Sequence, residues 1–420
     1  MRVPGARNIS MKRLQAADKL LGFLACLLFQ PLRWMRRGRE AEPRDLERVL
    51  LVKFWGIGSL QLLSPAVRVL RARHPRARLV LLTLAENGEF ARGLAIFDEV
   101  LELDLCSGRR ILGWTRLMTR LARLVAQLRS SRFDAVFDFE FFTRFSALLS
   151  LLTGARWTSG FEAPQVWRGG FHTRAVPFNR YWHVARNFRA LAGDGGGEIA
   201  PEELVPFRFG EQERERIAKL LSERGLPAGV PLVVLNPNAG GLSLERRWPR
   251  ERFAELARAL VEQDGTPVVL VGSPAEREYV AGLAAELRLE RGWLVNLAGE
   301  LSIAELCALL ARAGALVSND SGPMHIGAAL GTPTLGLFGP ETPVMYAPIG
   351  RRTSALWRPP VCSPCINVHD NKVANCVRGH PECLTNLSVE EVHEELRLLL
   401  WDGVLHVLPA RKSGLTQVLA

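Results

Sequence analysis

From Arg48 onward, short runs of β-branched and other apolar residues alternate with longer stretches whose apolar positions recur at helical spacing. That alternation predicts a parallel sheet covered by helices on both faces. In the first half the runs predict strands at 48–54, 78–84, 100–104 and 133–139, with helices at about 60–73, 114–130 and 141–153. In the second half strands are expected at 231–236, 266–272, 293–298, 315–319 and 333–338, with helices at about 250–263, 274–287, 302–313 and 322–330. Ser273 with Glu276, Ser302 with Glu305 and Ser388 with Glu391 have capping-box spacing, and the last pair starts a helix at about 389–401.

A polar stretch at 193–230 separates the halves; it opens on a flexible Gly193-Asp194-Gly195-Gly196-Gly197 and carries a helical piece at about 211–224. The chain therefore divides into an N-terminal segment 1–46, a Rossmann-like domain 47–200, a linker 201–229, a second Rossmann-like domain 230–387, and a C-terminal helix and tail 388–420. Two doubly wound domains that face each other enclose a cleft, and ligands bind where the strands end.

Composition changes this picture mainly at the N-terminus. At 420 residues, 48% hydrophobic and 23% charged, the chain can build large cores without staples. The net charge of +11 is uneven: residues 1–50 hold eleven Lys and Arg against five Asp and Glu. No nucleic-acid motif accompanies this surplus, which points to an anionic membrane surface and away from nucleic acid. Leu20–Leu32 is a mostly apolar run of thirteen residues, preceded by Lys12, Arg13 and Lys19 and followed by Arg33, Arg36, Arg37 and Arg39. A spanning helix needs about 20 apolar residues, and no small-residue cleavage site follows. An interfacial helix with Trp34 at the headgroup level fits these flanks, with a helix packed on the protein and a true span as the alternatives.

Three loops carry candidate chemistry. Asp320 ends a strand, Ser321 and Gly322 make a tight turn, and Pro323 opens a helix whose first turn holds His325. Free N–H groups and the helix dipole make this turn an anion site suited to a pyrophosphate, with Asp320 placed to accept from ribose hydroxyls. Ala329-Leu330-Gly331-Thr332-Pro333 and Phe338-Gly339-Pro340-Glu341-Thr342-Pro343 shape a second loop beside it. The third follows strand 231–236: Asn236-Pro237-Asn238-Ala239-Gly240-Gly241, then Arg246-Arg247-Trp248-Pro249. Arg246 or Arg247 could clamp a phosphate in bidentate fashion, and Trp248-Pro249 would pin the next helix.

These segments, in this order, resemble glycosyltransferase family 9, the lipopolysaccharide heptosyltransferases. The N-terminal half agrees through Val49-Leu50-Leu51-Val52-Lys53, Gly56-Ile57-Gly58, Ser64-Pro65-Ala66 and Phe133 to Asp138 leading to Arg144. The resemblance covers about residues 47–400. It implies a GT-B-type α/β fold and an inverting, metal-independent transfer from a nucleotide diphosphate-sugar to a lipid-linked glycan or lipopolysaccharide, with ADP-heptose as the family's default donor. With the basic N-terminus, it places the protein in the cytoplasm, peripheral on the inner face of the cytoplasmic membrane. The implied donor residues are Asn238, Arg246, Asp320, Ser321, Gly322 and His325, and the acceptor side falls to Gly58 and Arg144.

One position departs from the family. Where the heptosyltransferases carry an Asp, their proposed general base, this chain has Ser59. A serine hydroxyl is no base at neutral pH without help. Glu140, at the end of strand 133–139, is the substitute candidate, with Asp138 orienting it and Arg144 keeping it ionised. The connection 160–189, with Arg168, His172, Arg174, Arg180, His183 and Arg186, would suit an acidic acceptor.

Of seven cysteines, Cys26, Cys106 and Cys307 sit in apolar surroundings as small core or membrane-facing residues. Cys362, Cys365, Cys376 and Cys383 cluster with His369 and His380, leaving a structural zinc, disulfides and free thiols all open. Three functions follow: a glycosyltransferase, a sugar-nucleotide epimerase of similar architecture, and a catalytically silent nucleotide-sugar binder, the last motivated by Ser59.

Overall fold

The computed structural model describes residues 16–35, 45–104, 111–162, 166–226, 229–240, 243–287, 289, 292–366 and 376–401. Lys12, Arg13, Arg36, Arg37, Arg39, Cys106, Gly241, His369 and the tail 402–420 lie outside them.

Strands β1 (Arg48–Val52), β2 (Arg78–Leu84), β3 (Glu99–Leu103), β4 (Ala135–Asp138), β5 (Trp157–Glu162) and β6 (Arg174–Pro177) form one sheet in the order β3-β2-β1-β4-β5-β6. Strands β7 (Val233–Asn236), β8 (Val268–Leu270), β9 (Leu294–Asn296), β10 (Ala315–Asn319), β11 (Thr334–Phe338) and β12 (Thr353–Trp357) form the second, in the order β12-β11-β10-β7-β8-β9. Every pairing is parallel. Counted from its own first strand, each sheet has the 3-2-1-4-5-6 order of a doubly wound dinucleotide-binding fold. The central strands are continuous apolar runs because helices cover both faces: Val49, Leu50, Leu51 and Val52 are fully buried, as are Leu316 and Val317.

All nine expected strands are present within a few residues of their expected ends. Three others were not expected. β6 and β12 are sheet edges, where burial is partial, and β5 carries Thr158, Ser159 and Gly160 at its centre. Helices Gly88–Leu94 and Val184–Leu191 also went unseen, since seven and eight residues give too few turns for a periodic signal. Ser302 forms the full capping box with Glu305, and Ser388 Oγ accepts from the backbone N–H of Glu391 at 3.1 Å.

The two domains meet through helix Ile57–Arg73 of the first and helix Gly322–Ala329 of the second. Helix Glu211–Glu223 packs on helix Ile303–Arg312, so this part of the linker lies against the second domain. Helix Val389–Trp401 packs on helix Arg250–Glu262 and against β10, β11 and β12, burying Val392 and Leu396.

Residues 16–35 of the N-terminal segment are helical, with a π-turn Asp18–Gly22 followed by helices Phe23–Leu28 and Gln30–Met35. Its inner face packs on the first domain. Cys26 is fully buried, and Gln30 Nε2 donates to the Gly169 carbonyl at 3.0 Å. The Asp18 carboxylate accepts from the backbone N–H groups of Arg144 and Phe145 at 3.0 and 2.9 Å. It thereby caps helix Arg144–Leu152 from a distant part of the chain. The outer face is open: Leu20, Leu21, Leu24, Leu27, Leu28 and Trp34 are all exposed. No described helix is long and apolar enough to cross a membrane.

Candidate active site

A cleft of about 790 Å³ opens between the domains. Its walls are loops at the carboxyl ends of strands: residues 53–59 after β1 and Ala85–Asn87 after β2 on one side, and the loops after β7, β8 and β10 on the other. β1 with β4, and β7 with β10, mark the points where each strand order reverses, which is where this fold class binds ligands.

The second-domain wall is tightly cross-linked. Arg246 Nη1 donates to the carbonyl and the carboxylate of Asp320 at 2.8 and 3.1 Å, and its Nη2 donates to the Ala239 carbonyl at 2.6 Å. The arginine thus ties the loop after β7 to the loop after β10. Ser321 caps helix Gly322–Ala329 by position, and its Oγ accepts from Asn236 Nδ2 at 2.8 Å. Asn238 donates to Asn236 Oδ1 at 3.2 Å and to the Val271 carbonyl at 2.9 Å. Asn238, Arg246, Asp320, Ser321, Gly322 and His325 therefore line one wall. Arg247 also lines the cleft, 4.2 Å over the Tyr279 ring and 3.8 Å from Glu276. Trp248 is fully buried, with its backbone N–H on Asn319 Oδ1 at 3.0 Å, just before helix Arg250–Glu262.

Glycines let the walls touch. A Cβ on Gly58 would lie 2.7 Å from His325 Cδ2, and one on Gly322 would lie 2.6 Å from Ile57 Cγ1. Only residues without a side chain allow this approach. Ser59 lies in the cleft, half-buried, beside this contact.

The carboxylates expected at the base position are elsewhere. Glu140 is fully buried, and its Oε1 accepts from Lys53 Nζ at 2.7 Å and from the backbone N–H groups of Phe54 and Trp55 at 2.7 and 3.2 Å. It braces the 53–55 strand end from behind and does not line the cleft. Asp138 Oδ1 accepts from the Glu140 backbone N–H at 3.1 Å, and no hydrogen bond joins the two side chains. Asp138 Oδ2 pairs with Arg168, accepts from Ser146 Oγ at 3.0 Å and lies 3.2 Å from His172 Nε2. Burial alone would raise the Asp138 carboxyl, but Arg168 and then His172 hold it below the ordinary carboxylate range. Arg144 neither charges Glu140 nor reaches the cleft; it lies beside Asp18. Side chains at 138 and 140 share one side of an extended segment, but both are fully buried at this strand end.

The basic connection is likewise mostly internal. Arg168 and His172 serve Asp138; Arg174 donates to the Leu191 carbonyl at 3.2 Å; Arg186 donates to the Gly196 carbonyl at 3.0 Å and stacks on Trp182. His183 bridges the domains. Its Nε2 lies 3.0 Å from the Ala347 carbonyl, and its Nδ1 accepts from the Ala185 N–H at 3.2 Å, so the ring is the neutral Nε2–H tautomer. Burial lowers its pKa to about 4. Its contribution to stability is therefore complete above about pH 6.5 and is lost as pH falls toward 4, because the unfolded chain takes up a proton that the fold refuses. Urea titrations should show about 3 kcal/mol of acid-dependent loss over that window assignable to this ring, and His183→Gln should remove that component. An unchanged pH profile in the variant would contradict the assignment.

Cys362, Cys365, Cys376 and Cys383 line a separate cavity of about 200 Å³ with His380 and Glu382. All four are free thiols, and burial, then the neighbouring thiols, push Cys383 up to about 12. Among the described residues no group of three or more His, Cys, Asp or Glu is placed to hold a metal ion.

Two doubly wound domains facing each other across a cleft are the architecture of GT-B-type glycosyltransferases. The sequence profile of glycosyltransferase family 9 (heptosyltransferase) matches residues 121–374, and the chain belongs to that family. It is similar to lipopolysaccharide heptosyltransferase 2 of Salmonella typhimurium, at 26% identity over 364 residues, covering 84% of this chain and 98% of the relative. Lipopolysaccharide heptosyltransferase 1 of Pseudomonas aeruginosa is 27% identical over the same coverage. Among solved structures, ADP-heptose lipopolysaccharide heptosyltransferase II of E. coli superposes with a TM-score of 0.66 at 23% identity, covering 85% of this chain and 99% of that one. An E. coli heptosyltransferase with ADP-2-deoxy-2-fluoro heptose gives 0.60 at 18% identity, covering 84% and 99%.

Lys53, Tyr346 and Glu86 also line the cleft, although sequence reasoning assigned them no role. Glu86 and Tyr346 had no motif to announce them.

Proposed function

We propose that this glycosyltransferase moves heptose from ADP-heptose to a lipopolysaccharide core acceptor, with inversion at the anomeric carbon. The observation that carries the reading is the second-domain wall, where Arg246, Asp320 and the start of helix Gly322–Ala329 converge on one cleft. The N–H groups at that helix start suit the pyrophosphate, and charge develops there as it leaves. The relatives' names supply the sugar and the acceptor class. A thermal-shift screen of nucleotide diphosphates tests the donor side: ADP should stabilise the protein more than UDP or GDP, and a clear preference for either of those would reject ADP-heptose. Transfer is read as metal-independent. The four cysteines line a separate cavity, so a structural zinc there would brace their loop and take no part in the reaction.

The membrane surface is the second part of the proposal. Leu20, Leu24, Leu27 and Leu28 form an open apolar face on a segment held to the domain from behind, and basic residues flank it in sequence. Each nearby Lys or Arg adds about 1 kcal/mol of attraction to anionic lipid. The protein should sediment with phosphatidylglycerol vesicles at low salt, and Leu24→Glu with Leu28→Glu should abolish this with little change in Tm, since neither side chain is buried. Equal sedimentation of variant and wild type would end the proposal. On this reading the protein works at the inner face of the cytoplasmic membrane.

A further inference from the structure

Inverting transfer needs a group to take the acceptor proton; Ser59 offers only a hydroxyl, and Glu140 is buried in an ion pair with Lys53. Among the described residues four carboxylates line the cleft: Glu86, Glu89, Glu276 and Asp320. Asp320 and Glu276 lie on the donor wall, where Asp320 is bound to Arg246 and Glu276 caps the turn at Ser273 and approaches Arg247. The other two come from the opposite domain. Glu89 lies three residues beyond Glu86, in helix Gly88–Leu94, which packs against helix Ile303–Arg312 of the second domain. Glu86 is exposed in the turn Ala85–Asn87, at the carboxyl end of β2 beside β1. That turn is pinned to the family's base loop. The buried Asn87 donates from Nδ2 to the Phe54 carbonyl at 2.6 Å and to Thr83 Oγ1 at 3.3 Å. Phe54 is itself held through its N–H by Glu140. Glu86 forms no ion pair among the described residues, so its oxygens are not committed to a cation.

We propose that Glu86 is the general base, supplying from the neighbouring strand end the carboxylate missing at Ser59. This rests on the sugar-transfer reading. The acceptor O–H proton passes to the Glu86 carboxylate as the acceptor oxygen bonds to the anomeric carbon. The bond from that carbon to the pyrophosphate oxygen breaks, and its electron pair leaves on ADP at the opposite wall. Lys53 and Glu140 then act as positioning residues that keep the 53–55 segment, and through Asn87 the Glu86 turn, at a fixed height in the cleft.

The test uses the full chain with ADP-heptose and lipopolysaccharide from a heptose-deficient strain. Glu86→Gln should lower kcat about 10²–10⁴-fold with calorimetric ADP affinity and Tm unchanged. Glu86→Asp should retain part of the activity, and Glu89→Gln should stay near wild type. A Glu86→Gln protein within threefold of wild-type kcat, or a Glu89→Gln protein that falls equally far, overturns the assignment. Wild-type protein that binds ADP-heptose yet gives no product overturns the transfer reading itself, and the base with it.

Discussion

Arg168→Met should lower folding stability by about 3–5 kcal/mol, as removal of one partner of a buried ion pair does. Arg168 and Asp138 are 4% and 0% exposed. The guanidinium also donates to the Thr143 and Phe161 carbonyls at 2.8 and 3.0 Å, so it fastens the loop after β4 to the end of β5. Methionine fills much of the volume but leaves a carboxylate without its counter-charge in a dry site. The sign with pH follows from Asp138, whose pKa lies below its ordinary value. Its contribution is present above about pH 4, the unfolded value, and is lost as pH falls through the folded one. Urea unfolding at pH 7 should expose the full loss, and Asp138→Asn added to Arg168→Met should recover part of it. A loss under about 1 kcal/mol would mean the pair is not dry.

Glu140→Gln is the second large change, and it separates two accounts of the same residue. As a general base, Glu140 would leave Tm alone and remove turnover. As the brace seen here, its neutralisation strands Lys53, which is 1% exposed and has Phe141 and Phe188 rings within 6 Å. About 3–5 kcal/mol of stability should go with it, and activity should fall because the 53–55 segment loosens. Lys53→Met combined with Glu140→Leu should restore Tm well beyond either single change. Normal Tm with lost turnover in Glu140→Gln would return the base role to Glu140.

Much of the architecture was legible because parallel strands buried on both faces must be continuous apolar runs, as at Val49–Val52 and Ala315–Val317. β6 and β12 escaped because edge strands need no such run, and Arg174–Pro177 ends in a proline. The second-domain wall of the cleft was legible for a different reason: Asn238, Arg246, Asp320 and His325 lie on loops whose glycines and prolines mark strand ends. The first-domain wall was not. Whether Glu140 points into a cleft or under Phe54 depends on packing between β1 and β4, which no local pattern encodes. Glu86 stands in a three-residue turn with no motif, and the pairing of β2 with β1 and the Asn87 bond to Phe54 bring that turn to the cleft.

The central claim, sugar transfer across this cleft, is tested most directly by mass spectrometry of lipopolysaccharide from a heptose-deficient strain after incubation with the protein and ADP-heptose. The structure predicts acceptor heavier by one heptose, stoichiometric ADP release, and loss of both when Arg246 or Glu86 is replaced. Binding of ADP-heptose with no heptosylated product, or transfer from a different nucleotide sugar alone, would contradict it.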